Sequence, residues 1–90
     1  MMAPMIYVYT FYIPEIDFCI ESISPDKIQA KQEFCYGLRS NLADSAWALV
    51  PDVMERLEAE FALHGNAQIE HLKATFCLFT QTHKSTSVTQ

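Results

Sequence analysis

The chain has 90 residues, of which 50% are hydrophobic, 19% charged and 12% aromatic: enough apolar material for one packed domain and an unsuitable composition for a disordered chain. Its two glycines, Gly37 and Gly65, exclude a glycine-rich phosphate cradle of the P-loop or dinucleotide kind, and a net charge of −5 argues against tracking a nucleic-acid backbone or an anionic membrane. A domain of this size buries only about two-thirds of its unfolded surface, so a partner or a second copy has surface left to cover.

The first charged side chain is Glu15, and the apolar run before it is shorter than the roughly 20 residues a membrane span needs. It lacks the basic start and small-residue cleavage site of a secretory signal, and it holds four aromatics and a closing proline. Within it Met5–Ile13 is rich in β-branched and aromatic residues and predicts a strand. One face would carry Met5, Tyr7, Tyr9, Phe11 and Ile13, the other Ile6, Val8, Thr10 and Tyr12. A strand apolar on both faces must be central, covered on both sides, or part of an interface. Tyr7, Tyr9 and Phe11 are therefore candidates for a self-association seam.

Pro14-Glu15 breaks the strand, and residues 16–23 alternate cleanly, with Ile16, Phe18 and Ile20 inward and Asp17, Cys19 and Glu21 outward. So short a link predicts an antiparallel hairpin. Ser24-Pro25-Asp26 predicts a helix start, with serine as N-cap and proline first. Ile28, Phe34, Cys35 and Leu38 supply its buried stripe, and Gly37 is expected to end or weaken it. Residues 38–50 read two ways: Leu42, Ala46 and Leu49 have helical spacing, while 46–50 also suits a short strand.

Pro51-Asp52 opens a further helix running to about His64 and closed by Gly65, with Val53, Leu57 and Phe61 buried and Met54 beside them. Residues 69–82 alternate again and predict one last strand, Leu72, Ala74, Phe76 and Leu78 on one face and His71, Lys73, Thr75 and Cys77 on the other. The expected fold is α+β: a small antiparallel sheet of about three strands with two or three helices on one face, in the order β-β-α-(α)-α-β. Residues 1–83 form the domain, and the polar stretch 84–90 is expected to be a solvated tail.

The chemistry-bearing residues are scattered. Cys19, Cys35 and Cys77 are odd in number and widely spaced, which favours free thiols and a cytoplasmic setting over a disulfide framework. Neither Asn41 nor Asn66 starts a glycosylation sequon. No two of the cysteines and histidines His64, His71 and His83 stand at zinc-knuckle spacing, so no metal and no cofactor is expected. His71 and Cys77, on one strand, would be roughly 20 Å apart and cannot act as a nucleophile pair. The carboxylates Asp17 and Glu21 flank Cys19 on an outward face, the pattern of a solvated strand. Base stacking on Tyr7, Tyr9 and Phe11 lacks the lysines and arginines it needs, since no basic residue precedes Lys27.

Charge is the most informative feature. Residues 40–70 hold six acids against Arg56 alone, whereas residues 71–90 hold Lys73 and Lys84 and no acid. Asp52, Glu55 and Glu58 recur at three-residue spacing with Glu60 nearby, an acidic helix surface with Trp47 just upstream as a potential hot spot. In size and charge the chain resembles the small acidic accessory proteins of phages and mobile elements, anti-CRISPR inhibitors among them, with no motif to support the analogy. The leading expectation is a non-enzymatic protein-binding module, an inhibitor or adaptor docking its acidic helix on a basic partner such as a nucleic-acid-binding protein. The alternatives are an obligate homodimer or small-ligand-binding protein built on Met5–Ile13, and an enzyme using a thiol or a carboxylate pair.

Overall fold

The computed structural model describes residues 5–82; the 84–90 segment read as a tail lies outside them. The chain runs β1 (Met5–Ile13), a 3-10 turn (Pro14–Ile16), β2 (Phe18–Ser24), α1 (Lys27–Asn41), α2 (Asp44–Trp47), α3 (Val50–His64), β3 (Ala67–His71) and β4 (Ala74–Thr82). The four strands make one antiparallel sheet in the order β2-β1-β4-β3, so the strand apolar on both faces is central. This is the α+β architecture expected, with α1 and α3 against one face of the sheet.

The core lies between the sheet and the two long helices. Tyr9, Phe34, Leu38, Leu57 and Leu78 are fully buried, and each stabilises the fold by about 1.5–3 kcal/mol through lost apolar exposure. Tyr9 stacks on Phe34 at 5.3 Å, and Phe11 meets Phe76 edge-on at 5.0 Å, tying β1 to α1 and to β4. Ala30, Phe34 and Leu38 supply the buried stripe of α1 at four-residue spacing; Val50, Val53, Met54 and Leu57 supply that of α3. Phe61 continues the stripe half-buried, under the Lys27 ammonium 5.7 Å from its ring centre.

Several local readings need correction. The N-cap of α1 is Asp26, two residues after Ser24: its Oδ1 accepts from the backbone N–H of Ile28 at 2.9 Å, while Ser24 Oγ accepts from the Asp26 N–H. Ser24 is buried on the inner face of β2, so its oxygen serves the turn rather than the helix. Gly37 does not end α1. It sits where Ile20 crosses the helix, and a Cβ there would stand 3.2 Å from Ile20 Cγ2. Ile16 belongs to the 3-10 turn and is exposed, and Ser22 replaces the apolar inward pattern of β2 by donating to the Ala30 carbonyl at 2.8 Å. The ambiguous 38–50 stretch holds the short helix α2, with no strand.

The alternating segment 69–82 is two strands. The chain reverses at Leu72-Lys73, and His71 pairs directly with Ala74. Leu72 takes a positive φ of 57° at the first position of this two-residue loop, a place where glycine is usual. Gly65, at φ 78°, closes α3 by donating its N–H to the Phe61 carbonyl. The two positions generate opposite expectations: Gly65→Ala costs about 1 kcal/mol, whereas Leu72→Gly is neutral or stabilising by up to about 1 kcal/mol. Urea unfolding of both variants checks this, and equal losses would contradict it.

Candidate functional site

Trp47, Glu55 and Glu58 come together from separate stretches of sequence. They line a groove of about 510 Å³ between α1 and α3, with Lys31, Cys35 and Pro51. The meeting follows from local structure: α2 turns the chain so that Trp47 lies half-buried against the core beside the first turns of α3. The Arg39 guanidinium sits 5.6 Å from the Trp47 ring and donates to Asp44 Oδ1 at 2.8 Å, fixing the indole from outside.

The acidic surface is divided. Lys31 Nζ stands 2.7 Å from Glu58 Oε2, an ion pair off the hydrogen-bond directions of an oxygen otherwise shielded from solvent. Glu58 is thereby engaged in holding α1 to α3. Asp52 and Glu55 are exposed and have no Lys or Arg partner among the described residues. Glu60 lies on the other flank, by a shallow depression it shares with Arg56, Gln68 and Glu70, and makes a 3.6 Å contact with His64. The four acids therefore form no single face: Glu55 and Glu58 share the groove and Glu60 is turned toward β3.

Beneath the groove lies a polar cluster that sequence reading did not anticipate. The Tyr9 ring is in the core, but its buried hydroxyl has no hydrogen-bond partner among the described residues. Burial, reinforced by the charge of Glu58 and by Cys35, pushes its pKa well above the ordinary tyrosine value. Burial also raises the Cys35 thiol, more than the Lys31 charge lowers it, so this sulfur is held protonated and is not an activated nucleophile. Apolar patterning marked Tyr9 only as a core or seam residue; its hydroxyl becomes relevant only once α1 and α3 are placed above it.

The other candidates are dispersed. Tyr9 and Phe11 are buried in the helix-covered core, and Tyr7 is half-buried against Phe61 at 6.2 Å. These three cannot form an exposed seam. The opposite face of β1 has no layer over it among the described residues, and there Val8 is fully shielded between its cross-strand neighbours Ile23 and Phe79. Reversal at Leu72-Lys73 puts His71 in phase with the buried Ala67 and Ile69, while Cys77 is in phase with Thr75 on the uncovered face. The expectation that His71 and Cys77 share a face fails for that reason. Cys19 lies opposite Tyr12, away from both. All three cysteines are free, and among the described residues no group of three or more His, Cys, Asp or Glu is placed to hold a metal ion. No described helix is long and apolar enough to cross a membrane.

Comparison with family models, with curated proteins and with solved structures returned no match.

Tyr9 yields an expectation with a definite sign. Above about pH 10 the unfolded chain releases the phenolic proton that the folded chain retains, so the unfolded state binds fewer protons and stability falls as pH rises. Below that pH both states are protonated and the group contributes no slope. Tyr9→Phe should raise stability by about 1 kcal/mol at pH 7 and flatten the alkaline loss. Urea unfolding between pH 7 and 11 checks both, and a large loss at pH 7 would mean that the hydroxyl has a partner.

Proposed function

We propose that the chain is a non-enzymatic protein-binding module, an inhibitor or adaptor, that receives a basic partner in the α1–α3 groove. The observation that carries this reading is the convergence of Trp47 and Glu55 on one groove, with Asp52 exposed nearby on the first turn of α3. An indole flanked by an unpaired carboxylate suits a lysine or arginine side chain, whose stem packs on the ring while its charge meets the acid. The Arg39 contact already shows the outer part of the indole associating with a guanidinium.

Electrostatics supports the same class of partner. Among the described residues neither Asp52 nor Glu55 forms an ion pair with a lysine or arginine of this chain, which leaves their charge available to a cation from outside. Complementary charge of this kind speeds encounter and sets specificity more than it adds raw affinity. A protein whose own basic surface binds nucleic acid is a partner of the right chemistry. Cytoplasmic residence belongs to the same proposal and is supported by the three free thiols.

The test compares variants. Tagged wild-type protein, Glu55→Lys and Trp47→Ala are exposed to the same host-cell lysate at graded salt, with folding checked by circular dichroism. A retained basic protein that salt releases should be lost at least tenfold in both variants. Retention unchanged by both substitutions would overturn the groove as the docking site.

A further inference from the structure

Among the described residues the sheet has helices on one face only, and the strand register shows what the other face carries. Val8 is paired with Ile23 on β2 and with Phe79 on β4, so these side chains form one row across it. Ile6 and Tyr12 lie on the same side of β1. An antiparallel sheet with one solvated face ordinarily sets polar residues there. This face departs from that pattern along its centre, and the apolar stripe reaches solvent: Ile23 is 50% exposed and Tyr12 38%.

Acids border the stripe on three sides. Glu21, paired with Thr10, stands on the β2 side, and Glu70, paired with Thr75, on the β3 side, at the sheet edge where it also borders the depression against α3. At the turn end, the Tyr12 hydroxyl donates to Asp17 Oδ1 at 3.2 Å. All three acids are exposed, and none forms an ion pair with a lysine or arginine among the described residues. The four strands contain no lysine or arginine at all.

We propose that this face docks an amphipathic helix of another protein, with an apolar stripe flanked by lysines or arginines. The footprint sets the element. Ile6 to Tyr12 runs about 20 Å along β1, and β1 with β4 is about 10 Å wide. Those are the length of about four helical turns and the width of one helix. The charge pattern sets the flanks: apolar side chains meet the stripe, and long basic side chains extend past it to Glu21, Glu70 and Asp17. A second copy of this chain does not suit the face, because two such faces together would set acid against acid with no basic strand residue between them. The proposal is independent of the α1–α3 groove, which lies on the helical side and shares no residue with this face.

The test is an NMR titration of the full chain with a synthetic four-turn helical peptide whose leucine stripe is flanked by lysines. A second peptide carries glutamate in place of each lysine. Expected are saturable shifts centred on the Val8, Ile23 and Phe79 amides, and at least tenfold weaker binding of the glutamate peptide. Ile23→Ser and Glu21→Lys, both at exposed positions, should each raise the dissociation constant at least fivefold. Glu70→Lys repeats the charge test if Glu21→Lys does not fold. Glu33→Lys, the same charge change on α1, should leave the affinity as it is. Absence of saturable shifts, shifts centred on the helices, or affinity unchanged by Ile23→Ser and Glu21→Lys would overturn the proposal. Sedimentation showing a dimer that Ile23→Ser disperses would overturn the choice of another protein's helix as the occupant.

Discussion

The structure depends on β1 being apolar on both faces while the chain has only two long helices with which to cover it. Those helices pack on one side, where Tyr9 and Phe11 become the centre of the core. Among the described residues the other side gets no second layer, and Val8 is hidden instead by the side chains beside it on β2 and β4. Central placement suits such a strand, because an uncovered edge position would leave apolar surface and unpaired backbone groups together in water. The flanking order β2-β1-β4-β3 follows: two hairpins, one before and one after the helices, meet at β1 and β4.

Two concavities border the core built on this strand. Tyr9 reaches from the central strand toward α1 and α3, and its hydroxyl is buried near Glu58 and Cys35. The Lys31–Glu58 pair spans the seam above it, and Trp47 borders the same groove. At the end of the sheet the short α2 buries none of its own residues, and an apolar cleft opens beside it. The groove is lined by residues of the helices alone, whereas the cleft reaches Phe11 and Phe76 of the sheet, which is why their chemistry differs.

Much of this was legible in the sequence. The two-faced pattern of Met5–Ile13 allowed a central strand, one covered on both sides or one at an interface, and the strand is central; Pro51 with Gly65 bounded α3 to within a residue. Side-chain alternation could not show the reversal at Leu72-Lys73, because a two-residue loop without glycine, asparagine or proline carries no turn signal and alternation continues on either side of it. That one omission displaced His71 to the wrong face and hid it from the cleft. Helical spacing identified Asp52, Glu55, Glu58 and Glu60 as neighbours along α3 but not what lay across from each. Only the position of Lys31 on α1 and of Gln68 and Glu70 on β3 separates Glu58 from Glu60.

The most direct measurement is native-state hydrogen exchange of β1. In a strand bonded on both sides successive amides are all engaged, whereas an edge strand protects only alternate ones. Continuous protection from Tyr7 to Phe11, with alternating protection along β2 and β3, is the result expected. Alternating or fast exchange along β1 would contradict its central position, and with it the origin given for the core.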